Sequence, residues 1–237
     1  MKYLFLLVAC TALLAGCHHN ESVNGNGNST SQSRSTGSFK GVKLMGSMNV
    51  QITKGTSTSI EIQAEENIIP LIETYVKDGD LVIKYRDDID VNTHNDVVVK
   101  VTAATLNNIS VFGSGDINGE GLFASSEKIN ISVFGSGSIH LDLDAPIIKA
   151  ETTGSGNIEL SGNTKDAEYG TLGSGEIKAF DLKAENVVAK TLGSGDIEVF
   201  ASVKLNVSIS GSGGVKYKGG GTVSSSVHGS GEVSAAE

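Results

Sequence analysis

A Gly-Ser-Gly triplet recurs seven times between residues 113 and 231, at intervals of 18 to 22 residues. A fixed internal period of this length is typical of solenoids, in which every repeat adds one coil to a stack. Glycine adopts positive φ and lets neighbouring backbones approach closely, so each triplet is predicted to form the sharp turn of one coil. The predicted turn glycines are Gly113, Gly115, Gly135, Gly137, Gly154, Gly156, Gly173, Gly175, Gly193, Gly195, Gly211, Gly213, Gly229 and Gly231.

The residues around each triplet predict two short strands per repeat, one entering the turn and one leaving it. The second residue after every triplet is β-branched, as expected for an inward-facing ladder on a pleated surface. These residues are Ile117, Ile139, Ile158, Ile177, Ile197, Val215 and Val233. The fold class is therefore predicted to be an all-β solenoid, with Gly-Ser-Gly turns between two sheets. The other corner of each coil has no constant sequence and is predicted to absorb the variation in repeat length.

Two other glycine-rich structures do not fit the pattern. A phosphate-binding loop is a single glycine-rich turn between a strand and a helix, and no helical pattern follows any of the triplets. A calcium-binding β-roll has a period of nine residues with a constant aspartate, and neither feature is present.

Residues 39–237 are interpreted as one domain, in which residues 39–101 form a less regular start and residues 102–237 carry the repeats. Asp78-Gly79, between two apolar runs, predicts a β-hairpin in the irregular part. Hydrophobic residues make up 38% of the chain and tryptophan is absent. This composition suits a thin, repetitive core better than a large globular one.

The first residues have the pattern of a bacterial lipoprotein precursor. Lys2 is followed by an apolar stretch too short to span a bilayer, which predicts a signal peptide over residues 1–16. The stretch ends in Leu-Ala-Gly-Cys, so Cys17 is predicted to carry the lipid. Residues 17–38 are polar and without periodicity, and they are predicted to be the lipidated cysteine and a disordered tether.

Charge and cysteine content narrow the compartment and the partners. The formal net charge of −9 argues against nucleic acid as a partner, because nucleic-acid binding requires a basic surface. With Cys10 in the removed segment and Cys17 lipidated, no thiol remains for a disulfide. The residue after Cys17 is His18 and not aspartate, which favours outer-membrane over inner-membrane placement in the bacterial cell envelope.

Several of these motifs together resemble the head GIN domain family. They are the lipoprotein cysteine, the segment FKGVKLMGSMNVQI at 39–52, the strand DGDLVIKY at 78–85, and the ladder of Gly-Ser-Gly-x-Ile repeats. The resemblance extends over about residues 39–234. It implies a right-handed parallel β-helix and a role in cell adhesion, and it brings no established catalytic residues. The sequence departs from the family pattern at Met48, where glycine is expected, and at Gly214.

A mostly acidic or polar residue follows each triplet, and stacking would align these residues along one edge. They are Asp116, Ser138, Asn157, Glu176, Asp196, Gly214 and Glu232. Such an edge could bind a divalent cation or a basic ligand. The alternative, favoured because the identities vary, is a solvated polar row without a ligand. No metal or cofactor is predicted.

Large apolar residues stand directly before four of the triplets: Phe112, Phe134, Leu172 and Leu192. Strict alternation points them outward, which would create an exposed stripe suited to an interaction. If the chain bends at this position instead, the same side chains turn into a corner of the core. The core alternative is favoured here, and the exposed stripe is kept as a second hypothesis.

No catalytic site is predicted. Arginine occurs only at Arg34 and Arg86, and His94, His140 and His228 are dispersed. No nucleophile-elbow or HExxH motif is present, so a carbohydrate-active enzyme is the least favoured function. The favoured function is adhesion or binding to a surface or glycan by a lipid-anchored protein. The alternative is a periplasmic structural role in the envelope. An uncovered last strand would also permit self-association into a homo-oligomer.

Overall fold

A computed structural model describes residues 21–236, nearly all of which lie in β-strands. The strands are β1 (Glu21–Asn24), β2 (Ser29–Arg34), β3 (Gly41–Gly46), β4 (Asn49–Lys54), β5 (Ser59–Glu65), β6 (Ile72–Lys77), β7 (Asp80–Tyr85), β8 (Ile89–Asn92), β9 (Val98–Ala103), β10 (Asn108–Gly113), β11 (Asp116–Ala124), β12 (Ile129–Gly135), β13 (Ser138–Gly154), β14 (Asn157–Gly173), β15 (Glu176–Gly193), β16 (Asp196–Gly211), β17 (Gly214–Lys218), β18 (Thr222–Gly229) and β19 (Glu232–Ala235). The helical element described is a 3₁₀ helix at Ile69–Leu71. Across residues 21–236, no helix is long and apolar enough to cross a membrane.

From β10 onward, successive coils stack through parallel strands, and the first glycine of every triplet lies in register with that of the next coil. The strands that leave the turns stack in the same way, from β11 through β19. The predicted all-β solenoid is confirmed. Constant spacing of the triplets in the sequence is what allows the coils to stay in register.

The two glycines of each triplet have different steric roles. The first has a φ between +116° and +136° in all seven triplets, a region that side chains with a Cβ rarely adopt. The second is held against the preceding coil: a Cβ on Gly137 would overlap the carbonyl oxygen of Gly115. The serine between the two glycines is exposed in every triplet, so its side chain needs no space inside the coil.

The opposite corner of the coil differs from the expectation of a loose turn. Strands β13 to β16 run through this corner without a break, from one triplet to the next. Differences in repeat length appear as shifts in register, such as the shift between Glu159 and Ser161 in the pairing of β14 with β15. The extra residue of a longer repeat is therefore taken up inside the strand as a bulge.

Inward-facing ladders of small and medium apolar residues fill the coils. Of the β-branched residues that follow the triplets, Ile117 through Val215 are buried, and Val233 in the last coil is half-buried. In the middle coils the ladder contains Thr152, Thr171 and Thr191, directly in register. Their hydroxyls and that of Tyr169 are buried and have no hydrogen-bond partner among the described residues.

The beginning of the chain contributes two more coils, in an order that differs from the sequence. β3 pairs in parallel with β10, and β4 with β11, so Gly46, with a φ of +127°, lies in register with the first glycine of the first triplet. β7 and β9 then pair with the other edges of β3 and β4. The chain thus builds its outermost coil from residues 80–103 and afterwards returns to the inner side of the stack at residue 108.

Antiparallel strands cover this N-terminal end of the solenoid. β6 pairs with β7 through a hairpin whose turn residues Asp78 and Gly79 both have positive φ, as that dipeptide predicted. On the other sheet β5 pairs with β9, and β2 pairs with β5. We call β1, β2, β5, β6 and β8 the N-terminal cap.

The prediction of a disordered tether over residues 17–38 is wrong for most of that segment. Residues 21–24 form β1, which pairs with β8, and residues 29–34 form β2. Polar composition concealed these strands, because a strand on the outside of a cap needs backbone partners and little apolar surface. Cys17 and residues 1–16 lie outside the described residues.

Met48 explains a departure from the repeat pattern. It occupies the position of the second glycine in the Gly46-Ser47-Met48 turn, and its side chain is buried. The neighbouring coil on that side has no triplet, because residues 86–97 connect β7 to β9 instead. A side chain is accommodated here because no glycine turn presses against it.

Candidate binding surface

The four large residues that precede the triplets lie on the outside of the solenoid. Phe134, Leu172 and Leu192 are 42%, 49% and 54% exposed, and Phe112 is half-buried. The expectation that they turn into the core is wrong, because their neighbours Val111, Val133, Thr171 and Thr191 take the inward positions and alternation continues up to the glycine. We call Phe112, Phe134, Leu172 and Leu192 the outer stripe.

Phe112 and Phe134 form the aromatic end of the outer stripe. They are direct partners in the pairing of β10 with β12, and their rings stack with centroids 4.8 Å apart and planes inclined by 13°. The Lys43 ammonium lies 4.6 Å from the centroid of Phe112. The residue in register on the other side of Phe134 is the small Thr153, so this side of the ring has no large neighbour in the ladder.

A groove begins at this small residue. In the next coil Gly170 also points outward, in register between Glu151 and Lys190, and contributes no side chain. Thr153 and Gly170 thus leave a depression between Phe134 and Leu172, and it continues past Leu192. The groove has a volume of about 720 Å³ and lies across five coils of one sheet. This size is within the range of small-molecule binding sites.

Charged side chains of both signs surround the floor of the groove. Lys149 and Glu151 form an ion pair with Nζ and Oε1 2.7 Å apart, and Glu168 and Lys190 lie in the next coils. Val188 and the leucines of the outer stripe supply the apolar part. The groove therefore presents an aromatic ring, an aliphatic wall and several hydrogen-bonding groups, a combination suited to a ligand that is partly apolar and partly hydroxylated.

Sequence reasoning did not identify the groove, although a signal was present. Gly170 is an isolated glycine within a strand, a position that often marks the close approach of a ligand or of another backbone. The outward positions beside it in the ladder hold the long side chains of Glu151 and Lys190. Only alignment of the repeats by coil shows that a side chain is missing there.

The row of residues after the triplets does align along one edge, as predicted from stacking. Its aspartates contact the next coil: Asp116 Oδ1 accepts a hydrogen bond from the backbone N–H of Ser138 at 2.9 Å, and Asp196 Oδ1 accepts one from Gly214 at 2.6 Å. Glu176 pairs with Lys178. The two aspartate contacts join neighbouring coils, whereas Glu176 and Lys178 lie in the same strand. No three His, Cys, Asp or Glu side chains within residues 21–236 converge as metal ligands would.

The histidines within residues 21–236 lie far apart in the fold. His94 contacts Glu65 in the N-terminal cap, His140 lies 3.4 Å from Glu159 on the outside of a middle coil, and His228 belongs to the last coil. The structure thus brings none of the three next to another.

A buried carboxylate, which the sequence did not reveal, holds the N-terminal cap together. Glu65 is fully buried and accepts hydrogen bonds from the backbone N–H groups of Gly27 at 2.6 Å and His94 at 3.1 Å, and the His94 ring lies 3.3 Å away. A Cβ on Gly25 would overlap the carboxylate. Desolvation by itself would raise the pKa of Glu65, but these donors and the His94 ring outweigh it, and the pKa is lowered.

Comparison with known proteins gives a consistent picture. Residues 38–221 match the family described as "Putative auto-transporter adhesin, head GIN domain". The resemblance inferred from the motifs is thereby confirmed. No curated protein matches the sequence.

Several solved structures have the same architecture. A putative adhesin from Bacteroides fragilis has a TM-score of 0.85 and 27% identity, over 90% of this chain and 100% of that one. A putative adhesin from Parabacteroides distasonis has a TM-score of 0.68 and 25% identity, over 91% and 100%. A putative lipid binding protein from the same species has a TM-score of 0.77 and 24% identity, over 92% and 100%, and this likeness concerns the fold alone.

Proposed function

Because the chain belongs to the head GIN domain family, a family of putative adhesins, we propose that it is an adhesin-type binding protein of the bacterial cell surface. It is anchored in the outer membrane through lipid on Cys17, after removal of residues 1–16. Its ligand is a carbohydrate chain, which it binds in the groove beside the outer stripe. The observation that carries the proposal is the groove itself, in which an exposed aromatic ring adjoins a floor that has no side chain at Gly170 and a charged rim.

Carbohydrate fits the chemistry of the groove. The C–H face of a pyranose ring packs on an aromatic face, and the ring of Phe134 has a small neighbour, Thr153, on the groove side. Sugar hydroxyls both donate and accept hydrogen bonds, so they can use Lys149, Lys190, Glu151 and Glu168 alike. The groove lies across several coils, which suits a chain of sugars better than a single one.

Binding is tested on a printed array of mono- and oligosaccharides, followed by calorimetry on any ligand found. Phe134→Ala removes the aromatic face and is expected to weaken binding at least tenfold, while Gly170→Lys fills the floor and abolishes it. Leu122→Ser is the matched control, since Leu122 is 43% exposed on the other sheet and outside the groove. Equal binding by all four proteins would exclude the groove as the site.

Surface display is tested separately by protease treatment of intact and permeabilised cells. Cleavage on intact cells is expected from an outward-facing adhesin. Cleavage only after permeabilisation would instead support the periplasmic structural role. Metabolic labelling with palmitate, compared between the native chain and Cys17→Ser, tests the anchor independently of where the domain faces.

A further inference from the structure

The N-terminal cap determines how far the solenoid can lie from its anchor. Glu21, the first described residue, already belongs to β1, and its backbone N–H donates to the carbonyl of Asp88 at 3.1 Å. Only residues 18–20 separate it from Cys17. Four Cα-to-Cα steps in an extended chain span at most about 14 Å. The folded body therefore begins within that distance of the lipidated residue.

Residues 21–34 are hydrogen-bonded to the rest of the cap at several points along the segment. β1 pairs with β8, and the Gly25 N–H donates to Asn92 at 2.7 Å. Gly27 donates to the buried Glu65, and Asn67 donates to the Asn24 carbonyl at 2.8 Å. β2 then pairs with β5 from Ile60 to Glu65. Residues 21–34 are part of the cap and add no length to the connection between lipid and domain.

The cap is also at one extreme of the stack. β8 lies in the connection between β7 and β9, which form the outermost coil at the N-terminal end. With about 4.8 Å between strands, the last coil, containing β18, lies roughly 38 Å further along the solenoid axis. Phe134 and Leu192 lie about 14 Å and 29 Å from the outermost coil on the same scale.

We propose that the N-terminal cap sits directly on the membrane surface, with the coils leading away from it. The inference rests on the lipid anchor at Cys17 proposed above. The connection is three residues long rather than a tether of some twenty residues, so the domain is seated and oriented instead of tumbling. The solenoid itself then serves as the spacer that lifts the groove off the membrane.

The cap surface that would face the membrane is acidic, so it does not attract anionic lipid headgroups. Asp87, Asp88 and Asp90 lie in and beside β8, next to Glu21. Lys84 pairs with Asp87 at 2.6 Å and Arg86 adds a second positive charge, so four acidic residues face two basic ones. Anionic headgroups would be repelled by such a surface. The covalent lipid and the short connection are therefore what hold the cap against the membrane, and a neutral lipid is the suitable partner for a test.

The test measures the depth of two positions in the mature lipidated protein, reconstituted in phosphatidylcholine vesicles with a small fraction of nitroxide-headgroup lipid. Cys17 carries lipid, so a single introduced cysteine accepts a bimane fluorophore. Asp87→Cys places it at the cap and Ser224→Cys at the last coil, both at exposed positions. Because headgroup nitroxides quench only at short range, bimane at 87 is expected to be quenched at least threefold more than bimane at 224.

A lengthened connection supplies the control. Insertion of twenty Gly and Ser residues between Asn20 and Glu21 leaves the cap and the lipid in place, and quenching at position 87 is expected to fall to the level at 224. Equal quenching at both positions in the native chain, unchanged by the insertion, would overturn the seated arrangement while leaving the anchor intact. Mass spectrometry showing no lipid on Cys17 would overturn both proposals.

Discussion

The repeat coils and the N-terminal cap hold neighbouring strands together by different means. In the repeats, each strand pairs in parallel with the corresponding strand of the next repeat, and glycines at fixed positions keep the turns in register. In the cap, strands from four separate segments pair mostly antiparallel, with β1 and β8 as a parallel pair, and side chains such as Glu65 and Arg34 hold them. The repeats depend on the absence of side chains at their turns, whereas the cap depends on particular side chains.

The largest loss of stability is expected when a turn glycine of the repeats receives a side chain. Gly137→Ala places a Cβ against the carbonyl oxygen of Gly115, part of the neighbouring backbone that cannot move alone. We expect the free energy of unfolding to fall by about 3 kcal/mol, measured by urea denaturation. Gly220→Ala is the control, since a Cβ there meets nothing within 4 Å. Similar midpoints for the two variants would contradict the close-packing role of the second glycine.

In the cap, Glu65→Gln should have the next largest effect. The glutamine amide keeps one acceptor oxygen, but an NH₂ group replaces the second. The backbone N–H of either Gly27 or His94 therefore loses its acceptor. A loss of about 2 kcal/mol is expected, seen as faster hydrogen exchange in residues 21–34. Glu66→Gln changes the adjacent exposed carboxylate and should leave exchange unchanged. Exchange that accelerates equally in the repeat coils would show that the cap does not open as a separate unit.

Acid should loosen the cap before it affects the repeats. Since the pKa of Glu65 is lower in the folded chain than in the unfolded chain, its stabilising contribution is complete above the ordinary glutamate pKa of about 4.3. That contribution is lost as the pH falls through the lowered value. A nitroxide on Ser31→Cys, in β2, is expected to gain mobility below about pH 4. The same label in a Glu65→Gln background should show a flat profile, and a transition that persists there would assign the effect to other groups.

Inside the repeats, one substitution is expected to stabilise the fold by a smaller amount. Thr171→Val replaces a buried hydroxyl that has no partner among the described residues with a methyl group of similar shape. The free energy of unfolding should rise by about 1 kcal/mol. Thr153→Val, on the exposed face of the adjacent coil, should change little. A destabilised Thr171→Val variant would show that the hydroxyl is satisfied within the core.

The smallest effect is expected from the outer stripe. The double variant Phe112→Ser and Phe134→Ser removes a stacked pair that lies outside the core, and it should lower stability by about 1 kcal/mol or less. Phe123→Ser, at a fully buried position, should cost about 3 kcal/mol or more. If thermal unfolding shows comparable losses, the stripe contributes to folding rather than to a binding surface.

The repeats could be predicted from sequence because their information is local and periodic. A Gly-Ser-Gly triplet followed by a β-branched residue specifies a turn and a strand, and repetition at a near-constant interval specifies that the strands stack. The prediction that the side chains of Phe112 and Phe134 turn into the core is wrong, because the sequence does not show how far the in–out alternation continues before the glycine turn. Their exposure depended on whether the bend begins before or after them.

Sequence alone therefore determined the all-β solenoid and the identity of the inward ladders, since each depends on residues a few positions apart. Tertiary structure decided the order of the first coils, the pairing of residues 21–34 and the groove at Gly170. These depend on partners far apart in the chain, such as Gly27 with Glu65 or Gly170 with Glu151 and Lys190. Polar strands such as β2 carry no apolar pattern that would announce such partners, because their backbone hydrogen bonds are independent of side-chain identity.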